Sequence, residues 1–266
     1  MAVTHGAARL WEGFRIQARV IGALLLREVI TRYGRHGIGV LWIFLEPMLF
    51  TLGITAIWYA IKLHAVSNLP IVEFAVTGYA SLLLWRNATN RCVKALEPNL
   101  GLMYHRYVRF NDILITRCLL EFVGGTASFV LIIVVFFFLG AVRLPADPLY
   151  MVFGWLLLCW SGLALSFIVG ALSSFNETVE RVWHVVNYLA LPTTGALFLV
   201  DWLPKHLQEL VLWIPMVNGV EMVRHGYWGG AVVTHENPFF LMASNLVLML
   251  VGLALVKLAE QRIELE

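Results

Sequence analysis

Charged residues are scarce in this chain. Lysine, arginine, aspartate and glutamate make up 14% of its 266 residues and hydrophobic residues 60%, whereas soluble domains hold about a quarter charged and half apolar. Mean hydropathy is +0.78. About six membrane spans would consume the chain, leaving no room for a sizeable soluble domain. Cysteine is sparse too. Cys92, Cys118 and Cys159 show neither a CxxC nor a Cys/His spacing, which excludes a disulfide framework and a metal site of that kind. A formal net charge of +2 excludes a nucleic-acid partner. No G-x-x-x-x-G-K-[ST] loop occurs to cradle phosphates, so no cofactor is expected in this chain. A cleavable signal is missing, because the first 37 residues are charged throughout.

Long apolar runs are what the chain does have. Leu26-Arg-Glu-Val-Ile-Thr-Arg-Tyr-Gly-Arg-His36 is basic and runs straight into an apolar stretch over 38–61. Roughly 20 apolar residues cross a bilayer as a helix. Positive charge beside a span marks its cytoplasmic side, so the amino terminus is read as inside. Further spans are expected at 71–90, 113–139, 149–172, 182–200 and 238–256. Fourteen of the nineteen lysines and arginines then fall on cytoplasmic segments and four on exterior ones, with Arg86 inside a span. The expected fold is therefore all-α and integral to the membrane: one domain of six transmembrane helices over 1–266, both termini cytoplasmic.

Three segments lie outside the spans. Over 6–26, Leu10, Phe14, Ala18, Ile21 and Leu25 recur at helical spacing opposite Glu12, Arg15 and Arg19, which reads as an amphipathic helix in the membrane interface or an ordinary soluble one. Residues 91–112 form a cytoplasmic loop in which Glu97-Pro98-Asn99 suits a helix start. Leu102 and Tyr104 follow, and the loop reads as a docking element or a solvated turn. Over 201–233, Pro204, Pro215 and Gly226 cut the chain into two pieces too short to cross. These read as a re-entrant exterior hairpin or a surface one.

The side chains suited to work are few. Glu46, Arg86 and Glu121 are intramembrane charges, and such groups normally face inward and pair. Arg86 is expected on Glu46 or Glu121, and Arg117 one turn before Glu121 offers a local pair. Tyr79, Trp85, Asn87, Asn187 and Tyr188, with Arg86, combine flat apolar faces with hydrogen-bonding groups, which suits a conduit for sugars. His36, Arg106 and Arg109 would form a basic cytoplasmic entry. Trp213, Glu221 and Arg224 would form an exterior gate, the last two on one helix face. Gly162, Ser166 and Gly170 repeat every fourth position, a spacing for close helix packing.

Three stretches resemble the membrane permeases of ABC-2-type polysaccharide exporters, and among them the Gram-negative capsular polysaccharide export permeases. They are Leu26 to Gly34 continuing through Gly39-Val-Leu-Trp and Leu45-Glu-Pro47; Asn90-Arg-Cys-Val-Lys-Ala-Leu-Glu-Pro-Asn-Leu-Gly-Leu102; and Leu212-Trp-Ile-Pro-Met-Val-Asn-Gly-Val-Glu-Met-Val-Arg224. The resemblance implies a bacterial inner-membrane protein that acts as a transporter permease and is itself no enzyme. It implies a homodimer above two cytoplasmic ABC ATPase subunits, which would carry the ATP and magnesium. Glu97, Asn99, Leu102, Tyr104 and Glu177 would couple to those ATPases. The substrate implied is an acidic, glycolipid-linked capsular polysaccharide, passed to a periplasmic adaptor and an outer-membrane translocon. Other expectations remain open: a permease for O-antigen, teichoic acid or a small lipid-like compound, or a proton-coupled carrier leaning on Glu46 and Glu121. A membrane enzyme fits less well, because His184 stands alone on its span.

Overall fold

A computed structural model describes residues 2–34, 37–60, 69–103 and 108–263. Among them every regular element is helical, in keeping with the apolar runs. α1 spans Ala2–Tyr33, α2 Gly37–Ala60, α3 Ile71–Cys92 and the short α4 Leu100–Met103. α5 spans Phe110–Phe138, α6 Pro148–Phe175 and α7 Thr178–Ala190. α8 spans Lys205–Leu212, α9 Pro215–Trp228 and α10 Pro238–Ile263. Single 3₁₀ turns at Glu97–Asn99 and Val200–Trp202 join some of these.

Among the described residues, four helical stretches are long and apolar enough to cross a membrane: Leu41–Ala60, Phe110–Phe138, Pro148–Phe175 and Pro238–Arg262. α3 also has the length, but carries Glu73, Thr77, Ser81, Arg86 and Asn87 and is buried along most of its course. It sits between α2, α5, α6 and α9, so Glu73, Thr77 and Ser81 face protein, while Arg86 and Asn87 are half-buried. Packing, not hydropathy, holds it there.

The expected fifth span over 182–200 is not one helix. α7 stops at Ala190 after 13 residues, roughly 20 Å of helix and short of a bilayer core. The chain then runs irregularly to Leu199. The cause is local: Pro192 has no N–H to continue the ladder, and Gly195 adopts φ +76°, a left-handed conformation that suits glycine. α1 is also longer than the expected 6–26, continuing through the basic segment to Tyr33.

α6 is the centre of the bundle, packed on α3, α9 and α10. Glycine permits the close approaches. A Cβ on Gly162 would stand 3.0 Å from the Trp85 Cα of α3, and one on Gly170 2.7 Å from a methyl of Leu114. The expected small-residue ridge thus does pack helices together. Gly78 of α3 lies so near the irregular segment that a side chain there would collide with the Ala196 carbonyl.

α2 contains Pro47, whose ring removes one helical hydrogen bond. Thr51 Oγ1 donates to the Pro47 carbonyl (2.9 Å), and Thr55 Oγ1 to that of Thr51 (2.7 Å). These bonds give the two buried hydroxyls partners inside α2.

Candidate functional site

At the arginine-rich end of the bundle, four side chains from four helices meet. Arg32 of α1 lies 2.5 Å from Glu121 of α5 and 3.8 Å from Glu46 of α2. Arg91, at the end of α3, lies 3.2 Å from Glu121 and 3.8 Å from Glu46. Two acids and two bases alternate, so neither charge is left alone in an apolar bundle. The expected pairing of Arg86 with Glu46 or Glu121 is corrected: the guanidinium of Arg86 instead stands 5.8 Å from the Tyr188 ring centroid. The expected Arg117–Glu121 pair is corrected too. Arg117 faces back to Glu28 of α1 at 3.5 Å and donates to the Arg91 carbonyl. Helical spacing suggested the wrong partner because the neighbouring helices α1 and α3 supply nearer ones. Arg32 and Arg91 belong to the fourteen cations on cytoplasmic segments, and a charge tally names no partner for either.

Replacing Glu121 by glutamine should remove the nearer carboxylate of this cluster and leave Glu46 at 3.8 Å from each arginine. A loss of about 1–3 kcal/mol is expected for the broken charged hydrogen bonds. Thermal unfolding of the purified chain would measure it, and an unchanged midpoint would contradict the pairing.

α1 is fastened at further points. Gln17 donates to Asp112, and Arg27 Nη1 donates to Asn99 Oδ1 at 2.8 Å. Leu24 is buried among Leu96, Phe110 and Leu114. Trp11 and Phe14 stay exposed, so the apolar stripe of α1 is divided between the bundle and the surroundings.

The 3₁₀ turn at Glu97–Asn99 forms where Pro98 suits a first turn. Asn99 is buried and also donates through Nδ2 to the Ala95 carbonyl (2.8 Å), while Glu97 is exposed and Leu102 half-buried. Lys94, at φ 48°, pairs with Glu180 of α7 at 3.0 Å. That hydrogen bond raises the Lys94 pKa above its ordinary value. Glu177 is exposed one residue before α7. Arg109 precedes α5, and its backbone N–H donates to Asp112 Oδ2 (3.0 Å). His36, Tyr104 and Arg106 lie outside the described residues.

Of the expected conduit residues, Tyr79 and Trp85 are buried within the chain's own core, and Tyr188 is 73% exposed. Arg86 is half-buried beneath Tyr188. Asn187 is buried and donates to Asn90 Oδ1 at 2.6 Å, joining α7 to α3. Asn87 lines a small cavity with Pro47, Thr51 and Glu121.

At the opposite end, Arg224 of α9 is fully buried. Its Nη1 donates to the carbonyls of Gly195 (2.6 Å) and Phe198 (2.5 Å), and its Nη2 to that of Ala196 (2.9 Å). The guanidinium lies 4.1 Å from the Phe74 ring centroid, near enough for a cation–π contact. Glu221, also fully buried, approaches to 4.0 Å. Arg224 thus gathers the carbonyls freed by the break after α7. Pro192 and Gly195 in the sequence signal that break, but not which side chain answers it. Trp213 is 74% exposed and meets Phe240 edge-on at 5.7 Å.

The sequence matches the family model for the ABC-2 type transporter over residues 19–228. It is 43% identical over 254 residues to the capsule polysaccharide export inner-membrane protein CtrC of Neisseria meningitidis serogroup B, covering 96% of each chain. It is 42% identical over 253 residues to the capsule polysaccharide export inner-membrane protein BexB of Haemophilus influenzae, covering 95% of this chain and 96% of that one. The polysialic acid transport protein KpsM of Escherichia coli is 28% identical over 254 residues, covering 94% and 96%. With its long apolar helices, this chain belongs to the ABC-2 type transporter family of membrane proteins.

Proposed function

We propose that this protein is the membrane-spanning subunit of an ATP-driven exporter of capsular polysaccharide in a bacterial inner membrane. The observation that carries the reading is its identity to capsule export proteins over more than nine-tenths of its length. As a permease it would not hydrolyse ATP; two cytoplasmic ATPase subunits would dock beneath the Glu97–Met103 turn. Six crossings, with α3 and the α7 segment as the less apolar two, put both termini inside.

A conduit between two copies fits the exposed apolar residues of α2 and α7, among them Trp42, Phe50, Val185 and Leu189. Arg86, Asn87 and Tyr188 would border it on that side. The arginines at the inner mouth suit an anionic polymer. α8 and α9 would form the re-entrant exterior hairpin, whose root is fixed by Glu221 and Arg224. An adaptor and an outer-membrane translocon would receive the polymer beyond it.

Force has a continuous route through the polar contacts. Pressure on Glu97–Met103 passes from Asn99 to Arg27 of α1, and from Arg32 to α2 and α5 through Glu46 and Glu121. A second route runs from Lys94 to Glu180 at the start of α7. In that arrangement Glu46 and Glu121 serve as ion-pair partners, which disfavours a proton-coupled carrier.

In an encapsulated bacterium lacking its own export permease gene, polymer should build up in the cytoplasm. Expressing this chain should restore surface capsule, and a soluble ATPase should co-purify with it. Surface capsule restored without any ATPase would overturn the ATP-driven reading. Failure to restore capsule with the partner ATPase present would overturn the substrate.

A further inference from the structure

A cleft of about 260 Å³ opens between α8, α9 and the start of α10, bordered by Glu209, Trp213, Asn218, His235, Asn237 and Phe240. Its position in the bundle follows from α10. Glu260, near the end of that helix, accepts a hydrogen bond from the Phe110 backbone beside the arginine-rich end. The helix from Pro238 at the cleft to Glu260, roughly 33 Å long, separates the two ends. The cleft therefore faces the side opposite the Glu97–Asn99 turn.

Its chemistry is mixed. The Trp213 indole offers an open flat face with Phe240 set perpendicular behind it, at an interplanar angle of 88°. The floor is rigid: Asn218 Nδ2 donates to the Leu212 carbonyl (2.8 Å), and its Oδ1 accepts from the Asn237 backbone N–H (2.9 Å). Asn237 Oδ1 in turn accepts from the Phe240 N–H (3.0 Å). Two groups at the rim are unspent. Among the described residues, nothing hydrogen-bonds to the Glu209 carboxylate or to the Asn237 side-chain NH₂. His235 is held to Asp201 at 3.2 Å.

An aromatic face beside spare donors and acceptors suits a sugar ring, whose C–H face covers the indole while its hydroxyls take the polar atoms. Glu209 and Asp201 would repel a phosphate-bearing lipid headgroup, and equally an acid group of the polymer, so the ring that fits presents its hydroxyls here and carries its charge elsewhere along the chain. The space holds one ring of a chain lying across it; pockets that engulf a whole ligand run to roughly 300–1,000 Å³. We propose that this cleft binds one sugar residue of the polysaccharide on the outer face of the permease, stacked on Trp213 and held by Glu209 and Asn237. This proposal rests on the export reading and adds a place of contact for the emerging polymer.

The test uses the full chain in lipid nanodiscs, titrated with short oligosaccharides released from the host capsule and, separately, with inorganic phosphate. The oligosaccharides should bind saturably, with little dependence on added salt, since the contacts are not ion pairs. Trp213→Ala should weaken binding about tenfold, Asn237→Ala less, and Trp213→Phe should keep most of it. The phenylalanine variant also guards against misfolding, because it retains an aromatic ring against Phe240. Equal affinity in Trp213→Ala, no oligosaccharide binding at all, or binding that phosphate and salt abolish would each overturn the proposal. Surface capsule restored by a chain that binds no oligosaccharide would overturn the cleft alone and leave the export reading in place.

Discussion

Alanine in place of Arg224 is expected to destabilise the folded chain by about 3–5 kcal/mol, the usual cost of breaking a fully buried charge pair from one side. The loss has two sources. Carbonyls of Gly195, Ala196 and Phe198 lose their donors, and unsatisfied backbone in an apolar bundle is costly. Glu221, fully buried 4.0 Å away, loses its counter-charge. Its remaining contacts are long ones from the backbone N–H groups of Val200 and His235, both at 3.4 Å. In detergent the unfolding midpoint should fall by roughly 6–20 °C. Lysine would carry the charge but not the planar fork that spans three carbonyls, so Arg224→Lys should recover only part of the loss. Pairing Arg224→Ala with Glu221→Leu should recover more than nothing, since it removes the stranded carboxylate. A midpoint within a degree or two of wild type in Arg224→Ala would contradict the role assigned to this residue.

The second large effect is expected on transport with the fold intact. Arg27→Ala removes the hydrogen bond to Asn99 while leaving the turn itself held by the Asn99 bond to Ala95. Charged hydrogen bonds contribute about 1.5–3 kcal/mol, so the link between turn and α1 should weaken about tenfold or more. Surface capsule should fall on that scale while folded yield and the ATPase rate of the assembled complex persist. Arg27 is a positioning residue in this view, and the ratio of polymer exported to ATP consumed is the readout that separates it from a purely structural one. Normal export in Arg27→Ala would remove α1 from the route.

Much of the helical frame was legible in the sequence because apolar run length decides it. The starts of α2, α6 and α10 fall within a residue of the expected ones. Glu97-Pro98-Asn99 does open a short helical turn, and Gly162 and Gly170 do lie against neighbouring helices. The break after α7 was missed because the apolar count continues through Leu197-Phe198-Leu199, outweighing Pro192 and Gly195. Charge partners were the least legible. Which acid meets Arg32, Arg91 or Arg117 depends on the depth and rotation of four helices at once, and i,i+4 spacing reports only one. For the same reason Tyr79 and Trp85 read as lining groups, although packing turns them into the core. The Arg224 cradle depends on Gly78, whose missing side chain leaves space for the Ala196 carbonyl and the guanidinium; no motif marks that fit.

The most direct measurement is the side of the membrane on which the Glu97–Met103 turn lies. A cysteine-free background carrying Glu97→Cys, at an exposed position, can be treated with a membrane-impermeant maleimide in spheroplasts and again after lysis. A permease driven by ATPases from below requires the thiol to be shielded until the membrane is broken, then to react fully. Reaction in sealed spheroplasts would place the turn outside, beyond the reach of any cytoplasmic ATPase, and would contradict the ATP-driven mechanism proposed here.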